Sequence, residues 1–355
     1  MFVAGIDAHS TYLVVTIVNN TGELVHKAQR IKNSDSAELL ALLEQYRPIE
    51  AVVETCPAWP WLFDLLTPHG FGFVLAHAKE LKAISGQNYK RDDMDAELLA
   101  RIRVAGLIPE VQPKPPALRE QATLLRHRAT LVRLRTAAAS RIHAQLHQVG
   151  LRMNRGRLLT QSGRHWVRST AWPQLRAEQR VLVQTHWDLI DHLDPQIRDL
   201  DKRIQRMGAG LPEVALLETI PGIGPYRALL VATEVMPIQR FPSPAHLVSY
   251  AGLAPRSSQS GLKPIRRGSI PRGSNRWLRG ALVRAIVSHV ANAPDSRLSQ
   301  RYTEDKKRLG WPIARIAAAR RLARAIHAML RTGEVWRDQP HVPGERGELL
   351  SRTVA

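Results

Sequence analysis

Four carboxylates in this sequence stand in the order that a divalent-cation site requires. Asp7 closes the apolar run Phe2–Ile6, and Glu54 closes a second run, Ile49–Val53. Asp92 and Asp95 lie three residues apart at the start of a helical pattern, so both face one side of that helix. Hard carboxylate oxygens suit Mg2+ or Mn2+. Two such ions can clamp the attacking and leaving oxygens of a phosphodiester. Each acid taken alone has a plainer reading: a strand-end aspartate is commonly structural, and Asp92 is well placed to cap its own helix. The succession of strand-Asp, strand-Glu and helix-Asp-x-x-Asp carries the argument. His9, two residues beyond Asp7, reads as structural rather than catalytic.

Two further segments have chemistry in them. Ile220-Pro221-Gly222-Ile223-Gly224-Pro225 precedes a helix expected from Tyr226 to Glu234 and resembles the hairpin of helix-hairpin-helix DNA binders. Gly222 and Gly224 would let backbone amides approach a phosphate; a tight interhelical turn inside the core is the competing reading. Later, Arg256 to Arg279 holds no acidic residue, while Arg256, Lys263, Arg266, Arg267, Arg272, Arg276 and Arg279 are basic. A Gly- and Ser-rich basic stretch of this kind can approach a nucleic-acid backbone closely. It contains Ser257, Ser258 and Ser260, and the residues alone do not choose among them as a nucleophile.

The elements that must position these groups can be read from pattern. Three strands (Phe2–Ile6, Tyr12–Val18, Glu23–Ile31) are followed by a helix over Ser36–Tyr46, the strand delivering Glu54, and a helix around Trp59–Pro68. A strand over Phe71–Ala76 and a helix over Asp92–Val104 complete the series. This is an α/β domain with a mixed sheet, spanning 1–112. Pro113-Lys114-Pro115-Pro116 is a stiff break. Residues 113–207 read as an antiparallel helical arm or coiled coil. One helix runs from Leu118 to Val149, an irregular basic tip covers Gly150–Gln174, and a second helix over Arg176–Met207 is interrupted near Pro195. Arg126 and Arg133 are among the cations on its outer faces, available to nucleic acid or simply solvated. Residues 208–335 form a mostly helical domain, and 336–355 a loosely ordered tail.

Composition narrows the partner. Lys plus Arg number 51 against 31 for Asp plus Glu, a formal charge of +20. An excess of that size fits a polyanion, because neutralising phosphates releases counterions. No run approaches the roughly 20 apolar residues that span a bilayer. The N-terminal run carries a charge and does not read as a signal peptide. A single cysteine, Cys56, excludes an internal disulfide and a cysteine-rich zinc site, and fits a reducing cytoplasm.

Gly5-Ile6-Asp7, Glu54 and Lys90-Arg91-Asp92-Asp93-Met94-Asp95-Ala96 resemble the RuvC-like DEDD domain of a family of insertion-sequence transposases. That family is understood as bridge-RNA-guided recombinases, and the Piv DNA invertase is related to it. Its usual Lys-Thr-Asp-x-x-Asp-Ala occurs here with Arg91 for Thr, and Asp93 becomes a bystander. The segment after the glutamate, Thr55-Cys56-Pro57-Ala58-Trp59, departs from the family's small-residue turn. The stretch from Leu247 through Leu278-Arg279 resembles the same family's C-terminal domain, with its Gly-Leu-x-Pro, Ser-Gly and Gly-Asn-x-x-Leu-Arg elements. The resemblance implies an RNase H/RuvC-like fold and a metal bound by the four acids. It also implies Ser260 of the Ser-Gly element as nucleophile and a DNA substrate selected by a structured RNA. A dimer or tetramer in the bacterial cytoplasm, associated with the nucleoid, goes with it.

Three rivals differ in what they leave unexplained. A hydrolytic junction nuclease needs only the carboxylates and makes the serine block superfluous. A non-catalytic nucleic-acid-binding regulator has no use for four matched acids. An actin-like ATPase also opens on Gly-Ile-Asp, but needs Gly-rich phosphate loops that do not occur before Pro113.

Overall fold

A computed structural model of the chain describes residues 1–85, 92–255, 257–258, 266–267 and 274–337. The chain divides into two compact units, Met1–Pro116 and Ala117–Ala355, each with a core of its own.

The first unit is built on β1 (Phe2–Ala8), β2 (Tyr12–Val18), β3 (Leu24–Lys32), α1 (Ser36–Glu44), β4 (Ile49–Glu54), α2 (Trp59–Leu66), β5 (Gly72–Ala76), α3 (Ala78–Ser85), α4 (Asp92–Val104) and β6 (Glu110–Val111). The expected mixed sheet is present, in the order β3-β2-β1-β4-β5-β6. β1, β2 and β3 are antiparallel neighbours, β4 and β5 run parallel to β1, and β6 is antiparallel again. The β2–β3 turn forms because Asn19 Oδ1 accepts the amides of Thr21 and Glu23 while Gly22 takes φ +85°. Parallel neighbours need crossovers, supplied by the helices after β3 and β4. The expected 59–68 helix ends at Leu66, and Thr67–His69 tightens into a 3-10 turn.

Alternation along the strands sorts the residues onto two faces. Ala4, Ile6, Ala51 and Val53 pack with Leu39, Leu43, Leu62 and Leu66. Val3, Val52, Val74 and Ala76 pack with Leu99, Ala100 and Ile102 of α4. Burial on both faces is why β1 and β4 read as continuous apolar runs. α4 presses on β1 at Gly5, where a Cβ would stand 1.9 Å from the Ala96 carbonyl oxygen and 2.9 Å from the Ala100 nitrogen. Both neighbours are backbone, so neither can swing away. Gly5→Ala is therefore expected to cost on the order of 3 kcal/mol and to lift α4 off the sheet. Thermal melting reads the cost, and a variant melting like the parent contradicts it.

The second unit contains α5 (Pro116–Gln148), α6 (Arg155–Leu158), α7 (Gln161–Trp166), α8 (Ala177–Gly208), α9 (Pro212–Glu218), α10 (Pro225–Val235), α11 (Pro244–Tyr250), β7 (Ser257–Ser258), β8 (Arg266–Arg267), α12 (Arg276–Asn292), α13 (Arg297–Leu309) and α14 (Trp311–Thr332). α5 and α8 lie antiparallel, joined by Arg128–Asp201 and Arg135–Asp194 at 2.9 Å each and by Gln179 to Gln148 at 3.0 Å. The expected interruption at Pro195 is absent: α8 is continuous through it. Proline removes one helical hydrogen bond, and here the helix is held on both sides of it by Asp194's ion pair and by Leu193 and Ile197 packed on Leu131. The tip is more regular than expected. α6, α7 and a π-helical turn at Val167–Ala171 pack Leu158, Val167 and Ala171 with Trp187. Leu125 and Ile204 join the core that holds α9 to α14. No described helix is long and apolar enough to cross a membrane.

Candidate active site

β1 and β4 bring two of the four acids together. Gly5 pairs with Val52 and Ile6 with Val53 in parallel register, so Asp7 and Glu54 occupy the next rung, side by side. Gly5 and Val52 belong to the α4 face, and strand alternation turns Asp7 and Glu54 to that same face. The residue after Glu54 anchors its strand end: the Thr55 amide donates to the Ala76 carbonyl at 2.9 Å, and Thr55 Oγ1 accepts the Ala78 amide at 3.1 Å. These two bonds tie the end of β4 to β5 and to the start of α3. Cys56 senses the pair. Its thiol is pushed up chiefly by burial, and the charges of Glu54 and Asp7 both push in the same direction, against hydrogen bonds from the backbone at Ala58 and Trp59.

α4 brings the other two toward them. Gly5 meets Ala96 and Ala100, while Leu99 and Ile102 share a cluster with Val3, nearer the start of β1. The helix therefore runs against β1, and its first turn lies at the Asp7 end. That turn starts at Asp92 and includes the half-buried Asp95. The side chain of Asp92 lies outside the described residues. Among the described residues, no three acidic, histidine or cysteine side chains stand close enough to hold a metal ion. The donor chemistry and the shared face suit a divalent cation; the described side chains alone do not complete a coordination shell.

His9 has a definite place. Its Nε2 lies 2.9 Å from Asp7 Oδ2, and its ring stacks on Tyr12 at 4.5 Å, with the Arg30 guanidinium on the same tyrosine. A carboxylate held this way is oriented before any ligand arrives.

The remaining expected contacts fall in the second unit. Gly222 has φ +87°, and a Cβ there would stand 2.6 Å from the His289 nitrogen. Its freedom serves close packing on α12, whereas Gly224 is open around its Cβ position. Gly224 lines a cleft with Arg128, Asp201, Tyr226 and Arg227 at the start of α10. Burial and the nearby Arg284 and Arg128 lower the pKa of Arg227. Arg133 is exposed. Arg126 is engaged inward, 3.1 Å from the buried Glu234, and remains 45% exposed. β7 and β8 pair Ser257 with Arg267 and Ser258 with Arg266. Ser260, Arg256, Lys263 and Arg272 lie outside the described residues, as do the side chains of Arg266 and Arg267. Sequence reasoning missed Glu234, whose only signal is a lone acid two residues after the apolar run Ala228–Ala232.

Comparison with known proteins gives two family matches in chain order. Residues 4–150 match a model of IS110-type DEDD transposases, and residues 214–303 match the transposase IS116/IS110/IS902 family. The chain is 26% identical over 339 residues to the transposase for insertion sequence element IS1111A of Coxiella burnetii, covering 94% of this chain and 91% of that one. It is 27% identical over 300 residues to the transposase for insertion sequence element IS1328 of Yersinia enterocolitica, covering 79% and 86%. The pilin gene-inverting protein of Moraxella bovis is 33% identical over 149 residues, which are 41% of this chain and 46% of the relative.

Proposed function

Because the chain belongs to the IS110/IS116 family of DEDD transposases, we propose that it breaks and rejoins DNA through the hydroxyl of Ser260, with Asp7, Glu54, Asp92 and Asp95 holding a divalent cation, Mg2+ or Mn2+. The observation that carries the metal half is the adjacency of Asp7 and Glu54 beneath the first turn of α4. Similarity to the pilin gene-inverting protein over 149 residues supports DNA rearrangement as the outcome.

Bound there, the cation would stabilise negative charge on a phosphoryl oxygen and lower the pKa of a hydroxyl it touches. Asp7 is held by His9, and the strand end that carries Glu54 is held by Thr55. Ser260 Oγ attacks phosphorus; the Oγ–P bond forms as the P–O bond to the leaving strand breaks. The serine proton passes to water, and the departing oxygen takes one up. The phosphoserine ester conserves the bond, so a strand hydroxyl can later displace Ser260 without an outside energy source. Arg256, Lys263, Arg266, Arg267 and Arg272 compensate the phosphate charge. A structured RNA selects the target, and exposed arginines such as Arg133 help to grip nucleic acid. The support for the RNA is the family resemblance together with the +20 charge. Paired DNA ends imply a dimer or tetramer.

The test uses the full chain with DNA carrying an element end. Covalent protein–DNA complex should form with Mg2+ present and disappear on chelation, while DNA binding persists. Cleavage that ignores chelation sinks the proposal. Binding itself should weaken about a thousandfold between about 50 and 200 mM salt, as for a protein neutralising about six phosphates. A flat salt dependence would exclude the basic surfaces as the grip.

A further inference from the structure

Glu234, in the last turn of α10, is 1% exposed, and the residues buried around it in that helix are Val, Leu, Ala and Thr. A carboxylate is tolerated in such a place only where charge and hydrogen bonds meet it. Arg126 Nη2 of α5 stands 3.1 Å from Oε1, and Asn275 Nδ2 donates to Oε2 at 2.8 Å. Arg240 Nη2 donates to the Glu234 carbonyl at 2.9 Å.

Asn275 is itself a junction. Its Oδ1 accepts the amides of Trp277 and Leu278 and so caps α12. Its backbone amide donates to the Tyr250 carbonyl, and its Nδ2 also donates to the Tyr250 hydroxyl, both at 3.0 Å. Tyr250 ends α11. In the sequence, Tyr250 and Asn275 flank the acid-free basic segment 256–274 that holds Ser257, Ser258 and Ser260. The two flanks therefore meet at Asn275, which donates to a buried carboxylate that Arg126 of α5 also holds.

We propose that Glu234 is a positioning residue for strand transfer: through Asn275 it fixes the two flanks of the serine block to each other and to α5. The proposal rests on the reading that this block carries the nucleophile. Packing alone does not call for an acid here. An aliphatic side chain would fill the space but accept from neither donor, whereas the carboxylate offers one oxygen to the guanidinium and the other to the amide.

A charge swap between two residues tests it. Asn275→Asp keeps a good helix cap but sets a second carboxylate against Glu234. The rate of strand cleavage should fall about a hundredfold, with DNA affinity held. Adding Glu234→Gln should bring the rate back to within about tenfold of the parent. The glutamine can accept from Arg126 and donate to the carboxylate introduced at 275. Full activity in Asn275→Asp alone, or no recovery in the double variant, overturns the proposal. So does a loss that tracks the melting temperature and DNA affinity, which a merely structural role would produce. Cleavage rate is read whichever residue attacks, so the swap tests Glu234 separately from Ser260. An adduct mapped elsewhere in the parent chain would overturn the serine assignment while the swap still judged the clamp.

Discussion

Asp92→Asn is expected to leave the chain folded and bound to DNA while strand cleavage falls on the order of a thousandfold, as removal of one charge-stabilising group in an active site does. Asparagine has nearly the same size and caps a helix as well as aspartate. A purely structural Asp92 at the start of α4 would thus tolerate the change. Asp7→Asn and Glu54→Gln should fall alongside it, because both side chains share the face that α4 covers. Asp93→Asn is the internal control: it adds the same amide one residue away and should cleave like the parent. Cleavage of an end-labelled duplex and a melting curve together read the outcome. Normal cleavage by Asp92→Asn, or equal losses in Asp92→Asn and Asp93→Asn, would contradict a metal site built on these acids.

The second large effect concerns the serine block. Ser260→Ala should abolish the covalent protein–DNA complex, since without Oγ no phosphoserine bond forms. Ser257→Ala and Ser258→Ala should retain it. Those two residues belong to β7, paired with Arg267 and Arg266 of β8, and removing a hydroxyl leaves that backbone pairing in place. Gel separation under denaturing conditions measures the complex directly. Retention of the complex by Ser260→Ala, or its loss in Ser257→Ala alone, would move the nucleophile. Cleavage without any complex in the parent chain would favour the hydrolytic reading, in which the carboxylates act on water.

The central strands were legible because β1, β2 and β4 are largely buried and the β2–β3 turn carries Asn and Gly, so pattern and turn chemistry agree. The same agreement put the start of α4 at Asp92. What the pattern of Gly5-Ile6-Asp7 did not reveal is why Gly5 is there. The reason lies about 90 residues away, in the backbone of Ala96 and Ala100. Pro195 misled in the other direction. A local rule breaks the helix, and tertiary contacts of Asp194, Leu193 and Ile197 keep it whole. Arg126 read as a cation available to nucleic acid or simply solvated, and its ion pair with Glu234, 108 residues further on, could not be seen from spacing. Gly222 left two readings open in the sequence, a phosphate contact and a tight interhelical turn, and the backbone of α12 that stands 2.6 Å from its Cβ position could not be seen from spacing. In each case the missing information was a long-range contact, which neither spacing nor composition encodes.

The proposed chemistry stands or falls on a carboxylate-held cation acting together with a serine nucleophile. Digestion of the Mg2+-dependent covalent complex, followed by mass spectrometry of the nucleotide-bearing peptide, reads both halves at once. The expected result is a single modified residue, Ser260, and no modified peptide when Asp92→Asn is treated in the same way. A nucleotide on any other residue, or strand cleavage in Mg2+ that yields no modified peptide at all, would contradict it.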